Sequence, residues 1–293
     1  MTASASPTHL RVISTGAALG ADIEGVDLTR PLDAATVAAI EQAWMDHLVL
    51  RFRGQKLNQD RLTAFSQRFG VLDKAPVRAA AVREYANPYV LLVSNIVENG
   101  LAIGSLGNYE ASWHIDMSYL DNPPIGSVLY AVEVPPRGGE TGFGNLYLAY
   151  ETLTAELKAT IAGRICTHDA SYNSAGELRQ GFAAVTDPRE APGAQHPLVQ
   201  PHPVTGRKAL FLGRRRNAYI HGLPLAESEE VLDRLWAHAA LPEHTWYQDW
   251  RVGDAVMWDN RCTIHRRESF DQDSRRLMLR TQIGSRDTTA AAA

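Results

Sequence analysis

Apolar residues along this chain recur in short runs that alternate with polar ones, and Gly-, Pro- and Asn-rich turns break the runs. LRVIST, ALGADIEGVDL and VLRFRG read as strands by that period of two. Between them, Ala34 to Leu48 carries the helical period, with Asp33 placed as its cap, and Asn58-Gln59-Asp60 opens a second helix through Phe69. From Tyr89 onward β patterns dominate, in YVLLVSN, GSVLYAVEV, RICTHDASY and Arg207 to Leu212. HTWYQDWR, DAVMWDN and RLMLRTQIG continue them to the end. A long helix from Leu146 to Ile161 and a capped one from Ala226 to Ala240 interrupt them. Residues 174–203, rich in Gly, Pro, Gln and Asp, read as one long excursion, the usual form of a functional lid. Helices stand between blocks of strands and do not alternate with them. That predicts a mainly β fold, an antiparallel sandwich or barrel with flanking α-helices, and argues against a doubly wound parallel sheet.

Composition narrows the setting. The 293 residues suffice for one large domain with a real core. Hydrophobic residues at 45% and charged ones at 21% are ordinary for a globular chain, and a net charge of −4 gives no general pull toward nucleic acid or an anionic membrane. No apolar run approaches the roughly 18 residues of a membrane span. The start, MTASASPTHLRVIST, lacks the order of a signal peptide. Two distant cysteines, Cys166 and Cys262, suggest no disulfide and a cytoplasmic setting. The tail 286–293 is expected to be disordered.

In SWHIDMSY, His114 and Asp116 leave a strand on the same face, which suits two metal ligands or an ordinary hydrogen-bonded pair. A further histidine, His265, follows DAVMWDN. In the last strand Arg276, Met278, Arg280 and Gln282 share one face. Two arginines are costly on a sealed face and sensible on one lining a cavity for anions. Two histidines and one carboxylate form the donor set of non-haem iron(II) oxygenases. No Gly-rich phosphate loop is present. Other histidines, His168, His196, His202, His221, His238 and His244, read as surface or strand residues, and Cys262 as an apolar filler.

WHIDMSY, PPRGGETGF, HPVTGRKALF, GDAVMWDNRCTIHR and RRLMLR follow one another in an order that resembles the taurine/2,4-dichlorophenoxyacetate dioxygenase (TauD/TfdA) family, over nearly the whole chain from GADIEGVDL onward. The resemblance implies a single domain over residues 1–293 with a double-stranded β-helix (jelly-roll) core. It implies Fe(II) at His114, Asp116 and His265, with 2-oxoglutarate and O2 as co-substrates. Thr141 and Arg276 would bind the distal carboxylate of 2-oxoglutarate, and Arg280 its proximal end or the acidic group of the substrate. The implied reaction oxidises, as a rule hydroxylates, a substrate C–H bond and releases succinate and CO2. Desaturation, cyclisation and oxidative decarboxylation remain alternatives, as does a non-catalytic metal- or ligand-binding jelly roll. Halogenating relatives lack the carboxylate that Asp116 supplies. Taurine enzymes carry a histidine where this chain has Ala75-Pro76, which argues against taurine. A small acidic substrate is expected, met by Arg280, Trp113, Arg78 or, within Arg214 to Arg216, Arg215. Neither a nucleic-acid nor a membrane partner is expected. A homo-oligomer, dimer or tetramer, is.

Overall fold

Period-two runs become strands wherever each face has something to pack against, and two mostly antiparallel layers result. The computed structural model describes residues 10–75, 87–106 and 111–284. Arg78 and the tail 286–293 lie outside the described residues. In chain order the layers use β1 (Arg11–Ser14), β2 (Ala21–Glu24), β3 (Val49–Phe52), β4 (Leu91–Ser94), β5 (Ser105–Leu106) and β6 (Ala111–His114). They continue with β7 (Gly126–Glu133), β8 (Thr141–Asn145), β9 (Thr245–Gln248), β10 (Ala255–Asp259), β11 (Thr263–Arg267) and β12 (Leu277–Ile283). One sheet has eight strands in the order β1-β2-β3-β10-β7-β12-β4-β5, the other four in the order β9-β8-β11-β6. From β6 onward the chain passes back and forth between the layers, as in a jelly roll.

Successive residues of the larger sheet serve different cores. Leu129, Trp258 and Met278 face the smaller sheet, where Trp258 meets Phe143 with ring centroids 5.5 Å apart. Their neighbours Val128, Met257 and Leu279 face outward onto Ile40 and Trp44 of α1 (Ala34–His47) and Leu62 and Phe65 of α2 (Gln59–Ser66). Each large apolar side chain so covered contributes about 1.5–3 kcal/mol. Both helices start where a side chain caps them. Asp33 accepts from the Thr36 N–H at 2.7 Å, and Asn58 from the Arg61 N–H at 2.9 Å.

Four expectations are corrected. The helix expected over Leu146 to Ile161 is two, α3 (Leu146–Glu151) and α4 (Ala155–Ile161). Thr154 takes an extended conformation between them and caps the second, accepting from the Leu157 N–H. The helix α5 (Leu225–Ala239) has Pro224 at its start and no side-chain cap. Within 174–203 the chain is strand again at Gln195–Pro197 and Val199–Pro201, paired to Ile165–Thr167 and Lys208–Leu210. Only the part before residue 195 is therefore an excursion. His168, His202 and His244, read as surface or strand residues, are buried outside any strand, where stacking or hydrogen bonds meet their rings, and His196 is buried within the strand Gln195–Pro197. Cys166 and Cys262 are buried and free. No described helix is long and apolar enough to cross a membrane.

Candidate functional site

The smaller sheet sets two histidines side by side. His114 ends β6 and lies directly opposite His265 of β11, so both imidazoles leave the same face, with ring centroids 4.2 Å apart. Asp116 is not in the strand, as its spacing suggested, but in the turn that follows. Its peptide is clamped there by Asn260. The Asp116 N–H donates to Asn260 Oδ1 at 3.0 Å, and Asn260 Nδ2 donates to the carbonyls of Asp116 and Pro124, each at 2.9 Å. Met117, next along, is held at φ 48°, a conformation a side chain rarely adopts and that needs such support.

The Asp116 carboxylate divides its two oxygens. Oδ1 lies 3.6 Å from His114 Nε2 and 3.8 Å from His265 Nε2. Oδ2 lies 3.2 Å from Arg280 Nη2 and accepts from Ser127 Oγ at 3.3 Å. The Oδ1 gaps exceed a hydrogen bond and suit donors that share an ion about 2.0–2.2 Å from each. His114 Nδ1 donates to the Ser112 carbonyl at 2.8 Å, which leaves the Nε2 lone pair facing inward. Burial, with His114 next in effect, holds the His265 pKa well below the usual imidazole range, so its ring is neutral. Burial alone would raise the Asp116 pKa, but Arg280 foremost, then His265 and His114, bring it well below the ordinary carboxylate range. Two imidazoles and one carboxylate, with their donor atoms within 4.8 Å of one another, fit a divalent first-row ion bound on one face only. Losing the Asn260 clamp reaches the ion through Asp116. Asn260→Ala is expected to weaken iron(II) binding about 10–100-fold in anaerobic titration, and to cost about 1–3 kcal/mol of stability.

A cavity runs from these histidines past Leu129, Trp258 and Thr141 to Arg276 and Arg280. The shared face expected for Arg276 and Arg280 is thus present. Thr141 Oγ1 accepts from Trp250 Nε1 at 3.0 Å. Arg276 is 2% exposed, and its Nε has no hydrogen-bond partner among the described residues. Burial first, then Arg267, pushes its pKa down to about 9, so it stays charged at neutral pH.

Two sequence assignments fail on direction. Trp113 neighbours His114 in the strand and so points away, against Tyr247 and under Arg266, and it does not line the cavity. Arg215 turns to α5, where it pairs with Glu229 and Asp233, each at 2.7 Å. Arg214 is the buried member of the arginine run.

A second cluster, His202, Asp259 and Cys262, has ligand-like spacing but is closed by its own hydrogen bonds. His202 Nδ1 accepts from the N–H groups of Val204 and Thr205, so Nε2 carries the proton it gives to Asp259 Oδ2 at 3.1 Å. Arg261 Nε and Nη2 donate to the two Asp259 oxygens. Burial keeps the Cys262 thiol protonated, with a pKa well above its ordinary value. This network braces the loop that carries Asn260.

His168 stacks on Phe211 beside His196. Burial, helped by His196 and Arg214, pushes its pKa from 6.5 down to about 3. The unfolded chain takes up this proton near pH 6.5 and the folded one only near pH 3, so the stability it contributes is complete above 6.5 and lost as pH falls between them. Urea midpoints are expected to drop over that window and to drop less in His168→Phe.

The family model for taurine catabolism dioxygenase TauD, TfdA family, matches residues 11–282. The (S)-phenoxypropionate/alpha-ketoglutarate-dioxygenase of Delftia acidovorans is 33% identical over 309 residues, covering 98% of this chain and 99% of its own. The alpha-ketoglutarate-dependent 2,4-dichlorophenoxyacetate dioxygenase of Cupriavidus pinatubonensis is 35% identical over 268 residues, covering 89% of this chain and 92% of its own. Among solved structures, AAD-2 in complex with Mn(II) and N-oxalylglycine superposes with a TM-score of 0.78 at 31% identity, over 94% of this chain and 97% of that one. With this coverage and a two-histidine, one-carboxylate centre in place, the chain belongs to the TauD/TfdA family and is an iron(II)- and 2-oxoglutarate-dependent dioxygenase.

Proposed function

We propose that His114, Asp116 and His265 hold the iron(II), that Thr141 and Arg276 bind the distal carboxylate of 2-oxoglutarate, and that the enzyme hydroxylates a C–H bond of a small organic acid. The observation that carries this is one cavity joining His114 and His265 to Arg276 and Arg280, with Asp116 clustered with the two histidines and ion-paired to Arg280. When bound, the iron couples decarboxylation of 2-oxoglutarate to succinate and CO2 with oxidation of the substrate by O2. The chain's part is to position and to exclude water. Ser112 fixes the His114 tautomer, and Asn260 fixes the Asp116 main chain. Arg280 and Ser127 hold Asp116 Oδ2, so that Oδ1 faces the ion. The guanidinium of Arg276 aligns the oxo acid by two parallel hydrogen bonds. Apolar Leu129 and Trp258 keep the cavity between them dry.

The same reading gives Arg280 the acidic group of the substrate, in line with the phenoxypropionate and dichlorophenoxyacetate named for the relatives. The whole chain acts as one catalytic domain, and the stretch beginning at Ser174 serves as its lid. Ser174 and Ala175 line the cavity, and the Ser112 N–H donates to the Ser174 carbonyl at 3.1 Å. The enzyme works in the cytoplasm as a homo-oligomer; its two free, buried cysteines suit that compartment.

A screen of small acids and neutral analogues for substrate-dependent succinate release tests the reading. Turnover with acids and a product one oxygen heavier supports it. Turnover with neutral compounds alone removes the acidic substrate, and a product short of two hydrogens replaces hydroxylation by desaturation. A protein that binds iron(II) and 2-oxoglutarate without ever releasing succinate is a binding jelly roll instead.

A further inference from the structure

The loop after Lys208–Leu210 returns to the metal centre. The Ile115 N–H donates to the Gly213 carbonyl at 3.0 Å, and Arg214 forms an isolated antiparallel bridge with His114. Residues opposed in this way project to the same side, so the Arg214 side chain leaves on the face of the His114 ligand. Only glycine permits the approach. Gly213 has φ +68°, and a Cβ there would meet His168 Nδ1 at 2.1 Å and Ser118 Oγ at 2.8 Å.

Arg214 arrives buried and, among the described residues, without an acid. It is 8% exposed, and neither Nε nor Nη1 has a hydrogen-bond partner among those residues. Its guanidinium lies 5.5 Å from the ring centre of Tyr119, which Arg179 shares at 4.0 Å. Arg179 and Arg280 oppose its charge, and Asp116 is the one carboxylate among its main influences. Asp116 is already committed to Arg280. A buried guanidinium with no anion is costly to hold, and a ligand that supplies the anion removes the cost.

Charge balance then selects the ligand. Asp116, shared between the iron and Arg280, and the two carboxylates of 2-oxoglutarate bring three negative charges against the two of the iron and one each of Arg276, Arg280 and Arg214. Arg266 is paired with Glu268, and Arg267 is engaged within the chain. A net excess of two positive charges is left over. Resting on the functional reading above, we infer that Arg214 is a second anion-binding guanidinium at the substrate end of the site, and that the substrate is an organic dianion.

Isothermal titration of matched pairs tests this. Hexyl phosphate is compared with hexyl sulfate, and adipate with hexanoate, at pH 8, where the phosphate monoester is doubly charged. Titrations use anaerobic protein with iron(II) and 2-oxoglutarate, and metal-free protein in parallel. The expected result is at least about tenfold tighter binding of the dianion in one pair. Which pair responds distinguishes a phosphoryl head from two carboxylates. Arg214→Leu should weaken that dianion about thirtyfold or more, leave its monoanionic partner within about threefold, and leave 2-oxoglutarate affinity unchanged; Arg214→Lys should restore part of the loss. Equal binding within both pairs, or equal losses for both charges in Arg214→Leu, overturns the proposal. Absent iron or 2-oxoglutarate binding counts against the functional reading instead, and the metal-free titration still reads Arg214.

Discussion

Arg276→Leu will raise the 2-oxoglutarate concentration needed for half-maximal succinate release by about thirtyfold to several thousandfold. The range follows from the roughly 2–5 kcal/mol lost when one member of a buried charge pair is truncated, at about 1.4 kcal/mol per factor of ten. Arg276 stands at the high end because it is almost wholly buried and its Nε is unpartnered in the cavity. Arg276→Lys keeps the charge but loses the planar fork, so its defect should be intermediate. At saturating 2-oxoglutarate, kcat should change far less than KM, since the lost contact holds the co-substrate before and during the reaction alike. Without 2-oxoglutarate, Arg276→Leu should be no less heat-stable than the parent, because it removes a buried charge with no acidic partner among the described residues. A KM for 2-oxoglutarate that stays within threefold, on the order of half a tenfold step, would sink the assignment.

His114→Ala will weaken iron(II) binding by more than about a hundredfold and abolish measurable succinate release. Outer partners of metal ligands are worth about 10–100-fold in affinity, and His114 is itself one of the three clustered donors. Its Nε2 has no competing hydrogen bond, so its removal subtracts directly from the ion. The apo fold should lose only about 1 kcal/mol, the worth of the bond from Nδ1 to Ser112. Anaerobic titration separates the two effects: near-parental iron affinity in a folded variant would assign the ion elsewhere.

Much of this site was readable before folding, and the limits have physical causes. A strand period of two is rigid, so the common face of Arg276 and Arg280 followed from spacing alone. The same rule places Trp113 opposite His114, and that geometry overrides its aromatic character as a pocket wall. His114 and Asp116 converge, but through a strand end and a strained turn that no local pattern encodes. Asn260 escaped notice because its work is done on the main chain of a residue 144 positions away. Arg214, Arg215 and Arg216 are chemically identical in sequence. A bridge to His114 and ion pairs to α5 sort them, and both are long-range. The helix break before Thr154 and the burial of four histidines likewise depend on tertiary partners.

The larger sheet has a different core on each face, and this gives the enzyme two separable layers for engineering. Residues such as Val128, Met257 and Leu279, with the α1 and α2 side chains they meet, form a foundation on the face turned away from the reacting groups. Heat tolerance can be raised by repacking that foundation, while libraries aimed at new substrates are confined to the opposite face.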